Sequence, residues 1–343
     1  MRVVLADDYS VHAPSGFISR GNRAPNPEVP ERAAILRRAV EAGSHEVIAP
    51  QDFGLAPVQA VHAADYLDFL QTAWDKWSAL PHHAPEILPN VHPGRNMDIH
   101  PTHIVGLAGH YQADTACPIG PGTWKGALSS AQVALTAADA LWRDGKPTYA
   151  LCRPPGHHAY GDQAGGFCFL NNSAIAAQYL RDQGAAKVAI LDVDVHHGNG
   201  TQGIFYRRGD VLTVSIHGDP HSYYPFFTGY ADEIGAGPGR GANVNLPLPQ
   251  GTGDAEYLET LDTALAAIDA FGADALVIAL GLDASEKDPL AFLGVTTEGF
   301  RQIGAKLGAG SRPTVIVQEG GYISDILGDN LAAVLAGFDG ARG

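Results

Sequence analysis

Two aspartates and a histidine at alternate positions of an otherwise apolar run constrain this chain more than any other feature of its sequence. The run is Leu191-Asp192-Val193-Asp194-Val195-His196-His197-Gly198-Asn199-Gly200. From Lys187 to Val195 it has the character of a buried strand, and Gly198 ends it as a glycine turn would. Successive strand residues face opposite ways, so Asp192, Asp194 and His196 are predicted to share one face at the strand's C-terminal end. Carboxylates buried side by side repel each other unless a cation, a histidine or bound donors compensate them. A metal ion is the simplest compensation. The plainer alternative is two solvated aspartates in a loop, and the apolar run argues against it.

Three further segments carry chemistry. Tyr149-Ala-Leu-Cys-Arg-Pro-Pro-Gly-His157-His158 reads as a short strand that breaks into a rigid Pro-Pro-Gly loop holding two adjacent histidines. Imidazole titrates near neutrality, so such a loop can present an acid/base group. With 15 histidines in the chain the pair means little alone, and gains weight beside the aspartate run. Leu276 to Leu280 is another apolar strand, followed by Gly281-Leu282-Asp283 at the edge where parallel α/β sheets build their sites. Thr314 to Val317 is a β-branched strand running into Gln318-Glu319-Gly320-Gly321-Tyr322, where the glycine pair allows a sharp turn that can aim the phenol inward. A lone tyrosine there would more simply be a packed aromatic.

Strands such as Arg2 to Ala6 alternate with Ala-rich helices such as Asn172 to Gln183, which indicates an α/β layer fold. The 343 residues show no internal repeat and no low-complexity linker, so one domain over 1–343 is expected. Lys and Arg number 22 against 37 Asp and Glu, a net charge of −15 that leaves no basic surplus for nucleic acid. There is no secretory leader and no run of 18 apolar residues, so membrane spanning is not expected. Cys117, Cys152 and Cys168 are odd in number and scattered, which fits a reducing cytoplasm. Leu80 to Gly122 is rich in Pro, His and Gly and reads as a long insertion loop at about 80–122, of the kind that is functional or disordered.

The set Arg153-Pro-Pro-Gly-His-His158, Gly165-Gly-Phe-Cys-Phe-Leu-Asn-Asn172, Asp192-Val-Asp-Val-His-His-Gly-Asn-Gly200, Gly281-Leu-Asp283 and Glu319-Gly-Gly-Tyr322 resembles the histone deacetylase superfamily and, within it, the bacterial acetylpolyamine amidohydrolase branch. The resemblance runs in the family's order over essentially the whole chain. It implies the arginase/deacetylase fold, a single, largely parallel, multi-stranded sheet with helices on both faces. It makes Asp194, His196 and Asp283 the ligands of a catalytic metal, usually zinc, although two carboxylates and one imidazole also suit Fe2+ or Co2+. It makes His158 the general base toward water and then the acid toward the leaving amine. His157, paired with Asp192, would carry positive charge toward the oxyanion, and Tyr322 would donate its hydroxyl there. Asn199 stands where many members place an aspartate against the second histidine, which leaves the basicity of His158 open. Phe167 and Tyr224 would wall a narrow channel, with Gly166 admitting close approach of substrate.

The same resemblance implies a structural K+ held by Asp192 and Ser215 with the carbonyls of Asp194, His196 and Ile216, and a second such site near Phe205, Arg208 and Val211. It also likens the proline-rich insertion to a dimerisation loop, hence a homodimer whose channel admits a small N-acetyl amine, foremost an acetylpolyamine. Polyamine-specific relatives place carboxylates where an ungapped register puts Val105 and Ala116, so Asp114, Asp98 or a partner's acidic residue would have to replace them. A protein acetyl-lysine deacetylase remains the main alternative, needing an open channel mouth. A ureohydrolase would need a second metal and an Asp-x-Asp at Asp283. A non-enzymatic acyl-amine sensor would not need every catalytic group kept.

Overall fold

A computed structural model describes all residues from Met1 to Gly343. In chain order the strands are β1 (Arg2–Leu5), the hairpin pair β2 (Gly16–Ser19) and β3 (Asn22–Pro25), β4 (Glu46–Ile48), β5 (Thr148–Leu151), β6 (Val188–Asp192), β7 (Val211–Gly218), β8 (Asn243–Leu248), β9 (Ala275–Leu280) and β10 (Thr314–Gln318). Eight of them form one sheet in the order β4-β1-β5-β10-β9-β6-β7-β8, and every neighbouring pair is parallel. β2 and β3 form a separate antiparallel hairpin.

Both faces of the sheet are covered, which is why its strands read as unbroken apolar runs. Alternation sends Leu5, Leu191, Leu276, Ile278 and Ile316 into one core, shared with the helices Pro30–Ala42, Asp254–Phe271, Thr297–Gly308 and Leu327–Arg342. The intervening Val4, Ile190, Val277, Val315 and Val317 enter the other, against the helices Thr123–Asp144 and Asn172–Asp182. The latter helix starts at Asn171, whose side chain accepts from Ala174 N and so satisfies a first-turn amide.

The proline-rich insertion departs from its reading as an irregular loop. Residues Ile104–Tyr111 are helical, because Ile104, Leu107, Ala108 and Tyr111 bury against Tyr66, Phe69 and Leu70 of the helix Ala64–Ser78. Ile87 and Ile119 pair across the insertion's base. The stretch around Val91 to His100 stays exposed, as does Pro81 to Pro85 before the insertion's base. No helix is long and apolar enough to cross a membrane.

His12, His62 and His217 are buried outside the motifs named above. Burial pushes each down to about 4; at His12 the Glu28 carboxylate opposes burial and Arg153 reinforces it. His62 Nε2 accepts from Asn171 N at 2.9 Å, a role only the neutral ring can fill. Between pH 4 and the ordinary histidine value of ~6.5 the unfolded chain therefore binds protons at these three rings that the folded chain does not, a contribution to stability that rises with pH, while Glu319 and Asp288, which burial pushes up to about 7, contribute with the opposite sign. Each histidine contributes at most ~1.4 kcal/mol per pH unit. We expect each of the three rings to stay neutral down to about pH 4, measured by nuclear magnetic resonance of the imidazole carbons; titration near ~6.5 would count against three neutral buried rings.

Candidate active site

The sequence motifs meet because they leave the C-terminal ends of four strands that are neighbours in the sheet. β5 leads into Arg153 to His158, β10 into Glu319 to Tyr322, β9 into Asp283, and β6 into Asp192 to Asn199. The β6 ladder stops at Asp192, so Asp194 and His196 ride on the loop beyond it rather than on the strand itself. That loop stays tied to both neighbours: Val193 N donates to Ala279 O at 3.0 Å and Gly218 N to Val195 O at 2.8 Å.

Asp194, His196 and Asp283 bring one ligand atom each to within 4.8 Å of one another. His196 Nδ1 lies 3.1 Å from Asp194 Oδ1 and 3.2 Å from Asp283 Oδ2. Burial opposes charge on this ring, but the two carboxylates outweigh it and push it up to about 9. The chain thus holds a proton where two buried carboxylates face each other, and a divalent cation would answer the same need more fully. Asp283 Oδ2 is buried without a hydrogen-bond donor. A methyl group on Gly320 would strike the carboxylates of both Asp283 and Asp194, and one on Gly281 would strike Asp194. The glycines of those two motifs are there to let the acids close in. Donor set, orphaned oxygen and glycine cradle all fit a catalytic metal.

The two adjacent histidines sit 4.0 Å apart, centroid to centroid, in opposite environments. His157 Nδ1 is 2.9 Å from Asp192 Oδ2, and its Nε2 is 3.8 Å from Asp194 Oδ1. Burial disfavours charge on His157, yet Asp194 and Asp192 overcome it and hold the ring protonated. His158 Nδ1 lies 2.6 Å from Asn199 Oδ1. The Asn199 amide is turned by its own donation to Tyr160 Oη at 3.2 Å, so its oxygen faces His158 and the imidazole carries its proton on Nδ1. Burial, then the charges of His157 and His196, drive His158 well below its ordinary value. Its Nε2 lone pair is free.

Tyr322 is buried, and burial followed by the Asp283 charge pushes its phenol well up, so the hydroxyl remains a donor. Phe167 meets the Tyr322 ring edge-on at 5.7 Å, and Tyr224 meets the His158 ring edge-on at 5.0 Å. Gly166 lies between them: a methyl there would strike the His158 ring. Ser215 is the register partner of Asp192 on β7, with Ile216 next along the strand; Ser215 Oγ is 2.8 Å from His217 Nδ1.

Several residues of the site have no motif to announce them. Tyr223 stacks on His196 at 4.9 Å and 14°. Asp288 accepts from Tyr322 N at 2.7 Å. Glu319 accepts from Gly156 N, His157 N and Ser173 Oγ, joining the β10 turn to the histidine loop. Arg32 donates to Gly321 O and Glu319 O and lies over the Tyr322 ring, while the buried Glu28 bridges Arg32 and Arg153. Of these, Glu319 and Arg153 fall within recognised motifs, and their partners Gly156, His157, Ser173 and Glu28 lie too far away in sequence to be read from spacing.

Known proteins resemble this chain over essentially its whole length. The histone deacetylase domain matches residues 26–338. An acetylpolyamine amidohydrolase of Burkholderia pseudomallei is 49% identical over 338 residues, 98% of each chain. Acetylpolyamine amidohydrolase 1 of Pseudomonas aeruginosa is 46% identical over 345 residues, covering 99% of each. The crystal structure of an acetylpolyamine aminohydrolase from Burkholderia pseudomallei matches with a TM-score of 0.96 at 48% identity, covering 100% of both chains. The eight-stranded parallel sheet is therefore the arginase/deacetylase fold. Motif order, fold and full-length likeness lead to one assignment: the chain belongs to the histone deacetylase family of hydrolases, on its acetylpolyamine amidohydrolase branch.

Proposed function

We propose that this chain is one catalytic domain that hydrolyses N-acetylated polyamines, or related small N-acyl amines, to acetate and the free amine. The observation that carries the reading is the opposed pair of histidines beside the three-ligand cluster: a cationic ring and a neutral ring 4.0 Å apart. Neighbouring groups whose environments drive their pKa values apart are how one site provides both an acid and a base.

Asp194, His196 and Asp283 would hold the metal, with zinc the first choice and Fe2+ or Co2+ suited to the same ligands. When bound, such an ion supplies Lewis-acid polarisation of the acetyl carbonyl and acidifies the attacking water. His158 Nε2 takes the proton from that water as its oxygen bonds to the acetyl carbon. The carbonyl oxygen, gaining negative charge, is met by the Tyr322 hydroxyl and by the cationic His157, whose charge Asp192 maintains. His158 then returns the proton to the amine nitrogen as the C–N bond breaks. Phe167 and Tyr224 sheathe the alkyl chain and keep water from the reacting carbon.

Asp192 and Ser215, adjacent across β6 and β7, support a structural K+ completed by the carbonyls of Asp194, His196 and Ile216. Val91, Met97 and Ile99 are apolar yet exposed on the insertion, Ile99 at 90%, which supports a homodimer formed through that segment. Three buried, unpaired cysteines support a cytoplasmic setting. The acetyl-lysine deacetylase reading is less well supported, because the full-length relatives of highest identity reported above are acetylpolyamine amidohydrolases.

Three outcomes follow. Asp194→Ala or His196→Ala should lose the tightly bound metal, assayed by elemental analysis after dialysis; one equivalent retained would refute the ligand assignment. Tyr322→Phe should bind metal and substrate normally while turnover drops by about a hundredfold to a thousandfold, the usual effect of removing one oxyanion donor. The zinc-loaded protein should turn over N-acetylputrescine, N-acetylcadaverine and acetylspermidine faster than an acetyl-lysine peptide. Preference for the peptide would overturn the substrate assignment and leave the chemistry standing.

A further inference from the structure

We propose that Asp114 is a positioning residue that sets the width of the substrate channel by tying both of its walls to the end of the proline-rich insertion; this rests on the amidohydrolase reading above. Asp114 is half-buried at the junction where the insertion rejoins the body of the fold. Its Oδ2 accepts from the Tyr224 hydroxyl at 2.7 Å and from Gly166 N at 3.1 Å. Its Oδ1 accepts from Ala116 N at 2.7 Å. One carboxylate thus holds the side chain of one wall and the backbone of the other, and its second oxygen fixes it to its own loop.

Those bonds bear on a turn with uncommon backbone geometry. Gly166 and Phe167 both have left-handed backbone, at φ +51° and +70°, and a phenylalanine does not adopt that conformation without support. The turn is closed by paired bonds between Gly165 and Cys168 and by the Asp114 bond to Gly166. On the opposite wall Tyr224 packs edge-on against His158 and His196, so the place of its ring bears on both. The insertion reaches the same point through its helix Ile104–Tyr111: Ala164 N donates to Tyr111 O and Ala113 N to Ala164 O, which laces the insertion onto the segment before Gly165.

This changes how the missing carboxylates are to be read. Positions 105 and 116 are Val105 and Ala116, and Asp98 is exposed. Asp114 is the acidic residue at the channel, but both of its oxygens are already occupied by protein donors. Selectivity for a slender amine then comes from channel width rather than from an ion pair with a distal ammonium group.

The test compares wild type, D114A, D114N, Y224F and the double variant D114A/Y224F as full-length, zinc-loaded proteins on N-acetylputrescine and an acetyl-lysine peptide. D114A should raise KM for N-acetylputrescine about tenfold, the effect of one lost hydrogen bond, with kcat within about threefold, and should erode selectivity against the peptide by a similar factor. D114N should restore most of the selectivity, because its single oxygen can still accept from both Tyr224 and Gly166. Y224F should erode selectivity alone and add little in the D114A background. Additive effects of D114A and Y224F, or unchanged selectivity in D114A, would overturn the proposal while leaving the enzyme reading intact. If D114A does not fold, Y224F decides: selectivity equal to wild type overturns the proposal. A wild type inert toward every N-acetyl amine would instead sink the function and this proposal with it.

Discussion

Asp192, Asp194 and Asp283 lie buried at the ends of adjacent strands, and the site is organised by how their charge is compensated. Leaving a carboxylate in a dry interior without partners costs several kcal/mol. Asp192 receives Asp194 N on one oxygen and His157 on the other. Asp194 receives His196 N on one and Gly320 N on the other. Asp283 receives Val195 N on Oδ1 and nothing on Oδ2. Five of six oxygens are therefore served by the chain, and the sixth points into the cluster that His196 closes. Backbone amides of the loop after β6 do most of this work, which explains why the ladder gives way there: amides released from strand pairing are free to turn toward the acids.

The same carboxylates set the character of the two loop histidines. Rings this close cannot both carry charge at low cost, and the chain assigns the charge by giving one a carboxylate and the other an amide. Asp192 makes His157 the cation. Burial, then the charges of His157 and His196, keep His158 neutral against the pull of its bond to Asn199, so in the proposed reaction the base enters the cycle with its lone pair available. The question left by the sequence, what an asparagine does at this position, has a structural answer: it keeps the division of labour between the rings sharp.

Much of this was legible in the residues. Short, unbroken apolar and β-branched runs located β5, β6, β9 and β10 to within a residue or two at most ends, and glycine or proline marked the turns that follow. The ligand and histidine motifs were visible because their spacing is local. The limits are also physical. Pairing in β6 ends at Asp192 because the following amides serve the acids, a tertiary preference that no periodicity contains. The insertion looked irregular because seven prolines and many polar residues mask a single helix of eight residues, Ile104–Tyr111, held by burial against a distant helix. Glu28 reaches Arg153 125 residues away, Asp114 its partners 52 and 110 residues away and Asp288 its partner 34 residues away, beyond the reach of any motif.

Those distant contacts show how a site built for general amide hydrolysis can be narrowed without touching its reacting groups. Arg32 and Asp288 grip the backbone on either side of the Tyr322 turn, and Glu319 locks that turn to the histidine loop, so the reacting groups form a rigid unit at one end of the sheet. The proposed channel walls belong to different segments: Phe167 to the turn after Gly165, Tyr224 to the loop after β7, and both are reached from the insertion through Asp114. In the proposed enzyme, chemistry and selectivity thus rest on different supports that meet where Tyr224 packs against His158 and His196. In the proposed enzyme a change in the insertion would alter which amines reach the acid cluster while Asp192, Asp194, Asp283 and Tyr322, held by their own bonds, keep their geometry, a separation by which one fold can serve substrates of different width.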